Sequence, residues 1–162
     1  MKRYILPLAL LVSIMLWTSI SNAQCKFEKN EVDEFTGHIN KQTKWERIAP
    51  KNVMAVVAQL GDKIGFLIAG DIGCVNDDSK AYFKFQDDTI IKIGHSGNID
   101  CGDIVSLILY IDDYNLEIFA TKPIAKIRLQ GTEGNVDVPL NNPEYFVKIL
   151  KDCFDVSQLM NQ

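Results

Sequence analysis

The chain has 162 residues, a formal net charge of −4 and 47% hydrophobic residues, which is typical of a globular protein and excludes a disordered or fibrous one. The acidic balance and the lack of a basic run argue against a nucleic-acid partner, because nucleic-acid-binding proteins usually present a basic face. Beyond residue 23 no apolar segment is long enough to span a bilayer. We therefore expect one globular domain over residues 24–162.

Residues 1–23 form a predicted signal peptide. Lys2 and Arg3 supply its positive start, and an uncharged stretch rich in Leu, Ile, Val and Met follows. The segment ends in small residues at the two positions that a signal peptidase reads, so we expect cleavage after Ala23. Cleavage would leave 139 residues and move the formal net charge from −4 to −6, since the signal contains two basic residues and no acid.

Two alternatives to a cleaved signal are weaker. An uncleaved anchor helix is disfavoured by Pro7, by the polar end of the segment and by an apolar length near the lower limit for crossing a bilayer. Lipidation is disfavoured because Gln24, rather than a small residue, precedes Cys25. We expect a periplasmic or secreted protein that does not span the membrane.

Strand-like alternation dominates the first two thirds of the mature chain. Residues 52–59 and 63–69 form a predicted hairpin joined by a Gly-Asp turn. Residues 81–85 and 89–93 form a second one, in which apolar side chains alternate with lysines as in a half-buried antiparallel pair. Residues 104–111 are almost continuously apolar, which predicts a central strand covered on both faces.

Helical periodicity enters in the last third. Residues 112–121 form a predicted short helix with an aspartate cap, and a second helix is predicted to start at residues 142–143, Asn-Pro. The apolar side chains of residues 145–153 then share one helical face. Further predicted strands cover residues 43–48, 124–130 and 135–139, and residues 154–162 are expected to fray.

These elements predict an α+β fold: mainly an antiparallel β-sheet or open barrel, with two short helices in the C-terminal half, stapled by disulfides. Four cysteines allow three pairings. Cys74 and Cys101 lie equally far outside the turn of the second hairpin, so an extended hairpin would bring their sulfurs together. Cys153 lies on the apolar face of the last helix, and Cys25 remains as its partner. We predict the pairs Cys74–Cys101 and Cys25–Cys153.

Other roles for the cysteines are less consistent with their spacing. Zinc sites usually contain closely spaced ligand pairs, whereas the nearest two cysteines here are 27 positions apart and the chain has only two histidines. A nucleophilic Cys101 with His95 as its base is conceivable. An even number of cysteines in an oxidising compartment favours disulfides instead. We predict no catalytic, metal or cofactor residue.

Acidic loops offer oxygen ligands of the kind that calcium prefers. Asp-Asp pairs stand at residues 77–78, 87–88 and 112–113, and residues 98–103 add another cluster. None of these loops matches the calcium-binding loop with alternating acidic residues. Asp and Asn are also common turn and cap residues, which is the simpler interpretation.

Two histidines and three tyrosines complete the candidate site residues. The carboxylates of residues 31–34 precede His38, and acid–base catalysis with His38, His95 and the acidic loops would make a small periplasmic hydrolase. A solvated strand edge leading into a glycine turn is the simpler interpretation of residues 31–38. Tyr82, Tyr110 and Tyr114 are candidates for a binding face, although tyrosines at strand spacing more often pack across strands.

A resemblance covers most of the mature chain. Residues 30–37, NEVDEFTG, followed by residues 43–46, TKWE, resemble a family of small exported proteins from Bacteroidetes-type bacteria. The Gly-Cys step at 73–74, the hairpin over 83–93 and the final helix ending at Cys153 are also similar. The family has no assigned activity, so the resemblance implies only an envelope location in a Gram-negative cell and carries over no catalytic residue.

The functional prediction follows from these observations. The sequence contains no nucleophile-elbow, zinc-protease, phosphate-loop or dinucleotide-binding motif. We predict a non-enzymatic, uncharacterised binding or interaction module of the bacterial envelope, with a protein or glycan partner. The alternatives are the small hydrolase and an inhibitor of an envelope-active lytic enzyme, a task that small disulfide-braced proteins suit by analogy of fold.

Overall fold

A computed structural model describes residues 25–154 and residue 156, so the predicted signal peptide lies outside the described residues. That part of the chain forms ten strands and two helices. In chain order they are β1 Phe27–Val32, β2 Ile39–Thr43, β3 Glu46–Arg47, β4 Met54–Leu60, β5 Lys63–Gly70, β6 Lys80–Phe85, β7 Ile90–Gly94, β8 Val105–Ile111, α1 Asp113–Thr121, β9 Ile124–Gly131, β10 Gly134–Pro139 and α2 Tyr145–Cys153.

The first sheet is antiparallel, with strand order β1-β2-β4-β5-β8 and β3 paired to the edge of β4. β4 and β5 form the predicted hairpin, since Leu60 pairs with Lys63 across a two-residue turn. Gly61 takes a φ of +64° in this turn, a conformation that glycine adopts without steric cost. This hairpin lies at the centre of the sheet.

The second sheet has strand order β10-β9-β6-β7 and is also antiparallel. β6 and β7 form the second predicted hairpin, and Lys84 pairs with Ile90. Asp88 takes a φ of +66° in the turn, and the carboxylate of Asp87 accepts a hydrogen bond from Thr89 N at 3.0 Å. The turn therefore uses the local hydrogen bonding typical of aspartate.

The two sheets and both helices share one hydrophobic core, centred on phenylalanines. The Phe66 ring of β5 lies 6.0 Å from that of Phe83 on β6, 5.0 Å from Phe119 on α1 and 4.4 Å from Phe146 on α2. All four side chains are completely buried. Each such burial stabilises the fold by about 1.5–3 kcal/mol, so these rings fix the position of every layer relative to the others. The α+β prediction, with antiparallel sheets and two helices late in the chain, is confirmed.

The predicted central position of residues 104–111 is wrong. β8 is the last strand in the order of the first sheet, and its outward side chains are half-buried or exposed, whereas only the inward ones are buried. Tyr110 points outward with 44% of its surface exposed, and Ile104 just before the strand is 63% exposed. The prediction of burial on both faces failed because Ile108, an outward residue of this strand, is apolar but only half-buried.

Both predicted helices are present. The Asp112 carboxylate caps α1 by accepting a hydrogen bond from Asn115 N at 2.8 Å, and Pro123 follows the end of the helix. At the second helix Asn142 Oδ1 accepts from Glu144 N at 3.1 Å, and the helix begins at Tyr145, two residues later than the cap predicted. No helix in the described part of the chain is long and apolar enough to cross a membrane.

The ends of the described chain are more ordered than the sequence suggested. Residues 154–162 were expected to fray, yet Phe154 is 2% exposed and its ring lies 6.0 Å from the Phe27 ring. Residues 155 and 157–162 lie outside the described residues. Val156 is also buried.

The prediction of one strand over residues 43–48 is incomplete, because Trp45 lies between two strands, β2 and β3, and is 37% exposed.

Two disulfides tie the elements together. Cys25 is bonded to Cys153 with a Cα–Cα distance of 5.5 Å, and Cys74 is bonded to Cys101 with a Cα–Cα distance of 4.2 Å. The structure thus contains both predicted pairs, and no cysteine is free among the described residues. Two disulfides indicate an oxidising location, extracellular or periplasmic, because cytosolic thiols are kept reduced.

Candidate functional site

One row of outward side chains crosses the whole first sheet. Residues that pair directly in an antiparallel sheet point to the same face, so the pairing places neighbouring side chains side by side. The row reads, from β1 to β8, Lys29, Gln42, Ala58, Gly65 and Tyr110. The row lines a groove of about 250 Å³ on the outer face of the sheet.

We call this feature the first-sheet groove. Besides the row, it is lined by outward residues of the flanking rows: Asn40, Leu60, Lys63, Leu67 and Ile108. Leu67 and Ile108 are half-buried and Leu60 is 57% exposed, so the lining is largely apolar. An apolar concavity with a few convergent polar groups is the usual form of a ligand site.

Gly65 forms the floor of the groove and allows it to exist. A Cβ atom at this position would lie 2.9 Å from the Leu109 carbonyl oxygen and 3.4 Å from the Tyr110 ring. The absence of a side chain lets the ring of Tyr110 lie close to the floor. Ala58, next to it in the row, adds only a methyl group. The groove thus has a shallow floor with an aromatic wall on its β8 side.

Amide and ammonium groups supply the polar part of the groove. Lys63 Nζ lies 5.9 Å from the centroid of the Tyr110 ring, within cation–π range, and Lys29 Nζ lies 2.7 Å from Glu31. Asn40 Oδ1 is shielded from solvent and accepts no hydrogen bond from any described residue. A shielded acceptor without a partner costs about 1–3 kcal/mol, and a ligand in the groove does not reach this oxygen without a movement of the Asn40 side chain.

A second shielded polar atom without a partner belongs to Tyr145 on α2. Its hydroxyl oxygen has no hydrogen bond within the described residues, and burial raises the pKa of the phenol. Tyr145 is packed in the core against Phe146, with ring centroids 5.0 Å apart, and does not line the first-sheet groove. Its hydroxyl is therefore neutral and structural.

His95 is a structural residue at the junction between the two sheets. Its Nδ1 accepts a hydrogen bond from Ile108 N at 3.0 Å, and its Nε2 lies 3.1 Å from the Asn98 carbonyl oxygen. The following residue continues the contact, since Ser96 N donates to the Ile108 carbonyl at 2.9 Å. Both ring nitrogens are occupied, which fits a neutral imidazole with its proton on Nε2. The imidazole thus replaces a backbone acceptor along the edge of β8.

His38 lies elsewhere, in the exposed turn between β1 and β2. A Cβ on Gly61 would lie 3.4 Å from its Nδ1, which places His38 beside the β4–β5 turn. His38 directly precedes β2, whereas His95 is hydrogen-bonded to β8. β4 and β5 lie between β2 and β8, so these two strands are three strand spacings of about 4.8 Å apart. The structure does not bring His38 and His95 together.

The acidic loops perform turn, cap and ion-pair roles. The hydrogen bonds from the Lys122 ammonium at 2.6 Å and from Thr89 lower the pKa of Asp87 to about 2. Asp88 pairs with Lys84 at 2.8 Å, and Asp112 caps α1. Within residues 25–154, no three His, Cys, Asp or Glu side chains are grouped so that they could hold a metal ion.

Tyr110 is the one residue of the first-sheet groove that was predicted from the sequence as a candidate; the rest of the groove was not predicted. Tyr82 lies on the outer face of the second sheet, and Tyr114 is 77% exposed on α1. Gly65 inside a β-rich run was the one available signal, because a strand glycine often marks a close approach or a recess. Lys29 and Gln42 share a row with Gly65 only through the pairing of four strands.

Comparison with known proteins found no relative of this chain. The family suggested by residues 30–37 and 43–46 therefore stays a prediction. No family model matches the chain, and no curated protein or solved structure is similar enough to match it.

Proposed function

We propose that the protein is a non-enzymatic binding module of the bacterial envelope, exported to the periplasm or beyond, whose first-sheet groove holds a glycan. The location is supported by the two disulfides and by the export signal predicted from residues 1–23. The binding role rests on one observation: an outward row of small and amide-bearing residues that ends at the Tyr110 ring.

The chemistry of the groove favours a sugar. The exposed ring of Tyr110 offers a flat apolar surface for the C–H face of a pyranose. Gln42 and Lys63 offer polar groups at the rim for the hydroxyls of a sugar. A ligand with an apolar face and many hydroxyls satisfies all of these groups at once.

The test is a titration of the isotopically labelled protein with short glycans, chitotriose and peptidoglycan fragments among them, followed by NMR. We expect chemical-shift changes at Gly65, Asn40 and Tyr110, and at least a tenfold loss of affinity in Tyr110→Ala because the stacking surface is removed. Tyr114→Ala removes an exposed tyrosine of α1 that does not line the groove and should bind like the wild type. Equal glycan affinity of Tyr110→Ala and the wild-type protein would refute the assignment of the groove.

A second candidate function, inhibition of a lytic enzyme, is supported by the turn at residues 33–38. Phe35 is 97% exposed at its tip. Asp33 Oδ1 accepts hydrogen bonds from Phe35 N at 3.0 Å and from Thr36 N at 2.7 Å, and these bonds lower the pKa of the carboxyl group. A preorganised turn that exposes an aromatic side chain suits insertion into a partner's pocket at low entropic cost.

This second candidate is tested by assaying purified muramidases with the wild-type protein and with Phe35→Ala. Inhibition that falls at least tenfold in the variant would support it, and Val32→Ala, which truncates another exposed apolar residue nearby, is the matched control. Absence of inhibition by the wild-type protein across the panel would count against it.

A further inference from the structure

The outer face of the second sheet concentrates positive charge. Alternation along β6, β7 and β9 turns every second residue outward, while their inward neighbours are at most 8% exposed. The outward residues include five bases, and we call them, together with Tyr82, the basic face: Lys80, Lys84, Lys92, Lys126 and Arg128. The formal net charge of the chain is −4, yet five of its basic residues lie together on one face of one sheet.

Internal carboxylates neutralise only part of this charge. Asp137 accepts hydrogen bonds from Arg128 in a two-point arrangement and lies 3.4 Å from Lys126 Nζ. Asp88 pairs with Lys84. Lys80 and Lys92 have no ion-pair partner anywhere in the described part of the chain. Five bases against two acids leave a local excess of three positive charges.

The pairing of the strands makes this arrangement electrostatically unfavourable. Lys84 lies directly opposite Lys126, and like charges in directly opposed positions destabilise a sheet. Tyr82 stands between two cations, since it pairs with Lys92 on one side and with Arg128 on the other. Folding gains nothing from this concentration of like charge, whereas an anion placed between the cations would relieve it.

A shallow recess in the basic face provides room for a chain-like ligand. It measures about 190 Å³ and is lined by side chains of four strands: Tyr82, Lys84, Ile90, Lys126, Arg128 and Asp137. Outward residues are about 6.8 Å apart along a strand and about 4.8 Å apart across strands. Lys92 pairs directly with Tyr82, and Lys80 is the preceding outward residue of β6, so both lysines flank the recess. Charged groups repeated along a narrow polymer can reach them while the polymer packs on the Tyr82 ring.

We propose that the basic face binds a carboxylated polysaccharide. The carboxylates pair with Lys80 and Lys92, and a sugar ring packs on Tyr82. The two-point hydrogen bonding of Arg128 to the Asp137 carboxylate shows that the face already accommodates this chemical group. The two disulfides indicate an oxidising location, extracellular or periplasmic, in which such a polymer can be met.

A lipid surface fits the basic face less well. Stable attachment to a membrane requires apolar side chains that enter the bilayer in addition to basic residues. Ile90, with 61% of its surface exposed, is the large apolar side chain that this face offers among the described residues. A polysaccharide needs no such insertion, since cations and one aromatic ring suffice.

The experiment measures binding of the full protein to polygalacturonate by isothermal titration calorimetry between 20 and 200 mM salt, with neutral dextran as the control polymer. We expect binding that weakens with salt, about tenfold weaker binding in the K80Q/K92Q double variant, and a salt dependence that is shallower by one to two released ions. K44Q/K148Q removes the same charge from exposed lysines outside both sheet faces and should bind like the wild type. Tyr82→Ala should also lose affinity, whereas Tyr82→Phe should retain it.

Several results would overturn the proposal. These are no binding of polygalacturonate at 20 mM salt, equal losses in the two double variants, or tighter binding to phosphatidylglycerol vesicles or to a single-stranded oligonucleotide than to polygalacturonate. Unchanged circular dichroism of K80Q/K92Q verifies folding, since neither lysine makes an ion pair with a described residue. Binding of neutral chitotriose in the first-sheet groove should not change between 20 and 200 mM salt, so failure of the groove and failure of the basic face can be told apart.

Discussion

On the first sheet the residues that point outward are mostly small, apolar or amide-bearing, whereas on the second sheet the largest group of them is basic. The inward residues of the two sheets are alike, because both faces meet in one core around Phe66 and Phe83. The core requires apolar inward residues on both sheets, and it leaves the outward residues free to differ. We therefore expect any difference in function between the two sheets to come from their outward residues.

The largest expected effect comes from removing the side chain that joins both sheets. Phe66→Ala should lower the free energy of unfolding by about 3–5 kcal/mol, because a fully buried ring contacting three others leaves a cavity. Urea denaturation followed by fluorescence measures it. Ile90→Ala, on the outer face of the second sheet, should cost less than about 0.5 kcal/mol. Similar losses in the two variants would contradict the division into inward and outward residues.

Two strand glycines give a direct comparison of the outer faces. Gly65→Val should lower the free energy of unfolding by about 1–3 kcal/mol, because its Cβ would lie 2.9 Å from a backbone oxygen at the floor of the groove. Gly94→Val, at the edge of the basic face, meets no atom within 4 Å and should be neutral or slightly stabilising in a strand. Thermal unfolding of both variants would show whether the recess on the first sheet depends on glycine.

The junction between the sheets is tested at His95. His95→Ala leaves Ile108 N without its acceptor at the edge of β8 and should cost about 1–2 kcal/mol of unfolding free energy. Hydrogen exchange at the Ile108 amide should accelerate in this variant. His38→Ala, in an exposed turn, should change stability by less than about 0.5 kcal/mol. Unchanged protection at Ile108 would show that the imidazole is not its acceptor.

The smallest expected effect concerns the acid that neutralises the basic face. Hydrogen bonds from Arg128, helped by Lys126, lower the pKa of Asp137 to about 2. Its contribution to stability is therefore complete above the ordinary aspartate value near 3.9 and is lost as the pH falls toward 2. The difference in urea midpoint between the wild type and Asp137→Asn should shrink over that pH window. Asp78→Asn, which removes an exposed carboxylate without an ion pair among the described residues, should show no such trend.

Local patterns predicted the second sheet better than the first. The alternation of Lys84 and Lys92 with buried neighbours identified the faces of the β6–β7 hairpin correctly, because period-two burial is a property of each strand alone. The pair Cys74–Cys101 followed from similar local reasoning, whereas Cys25 was assigned to Cys153 as the remaining cysteine. The extra pairing of β6 with β9, which brings Lys126 opposite Lys84, joins residues 42 positions apart and left no local trace.

The first-sheet groove could not be predicted for the same physical reason. Its row joins Lys29 to Tyr110 through three intermediate strands, and strand order is decided by packing over the whole sheet. The prediction for β8 failed because it used only the local sequence pattern. Its apolar run indicated burial on both faces, yet outward Ile108 lines a groove instead. An apolar residue facing a recess and one facing a core look identical in sequence.

The bridge between Cys25 and Cys153 has a mechanical consequence. Its Cα atoms are 5.5 Å apart, and the bond encloses every strand and both helices in one covalent loop. A pulling force applied to residues before Cys25 and after Cys153 would pass from one sulfur to the other and would bypass the sheets. While the bond is intact, neither sheet bears tension, so both outer faces should keep their shape under loads that would unzip an open chain of the same fold.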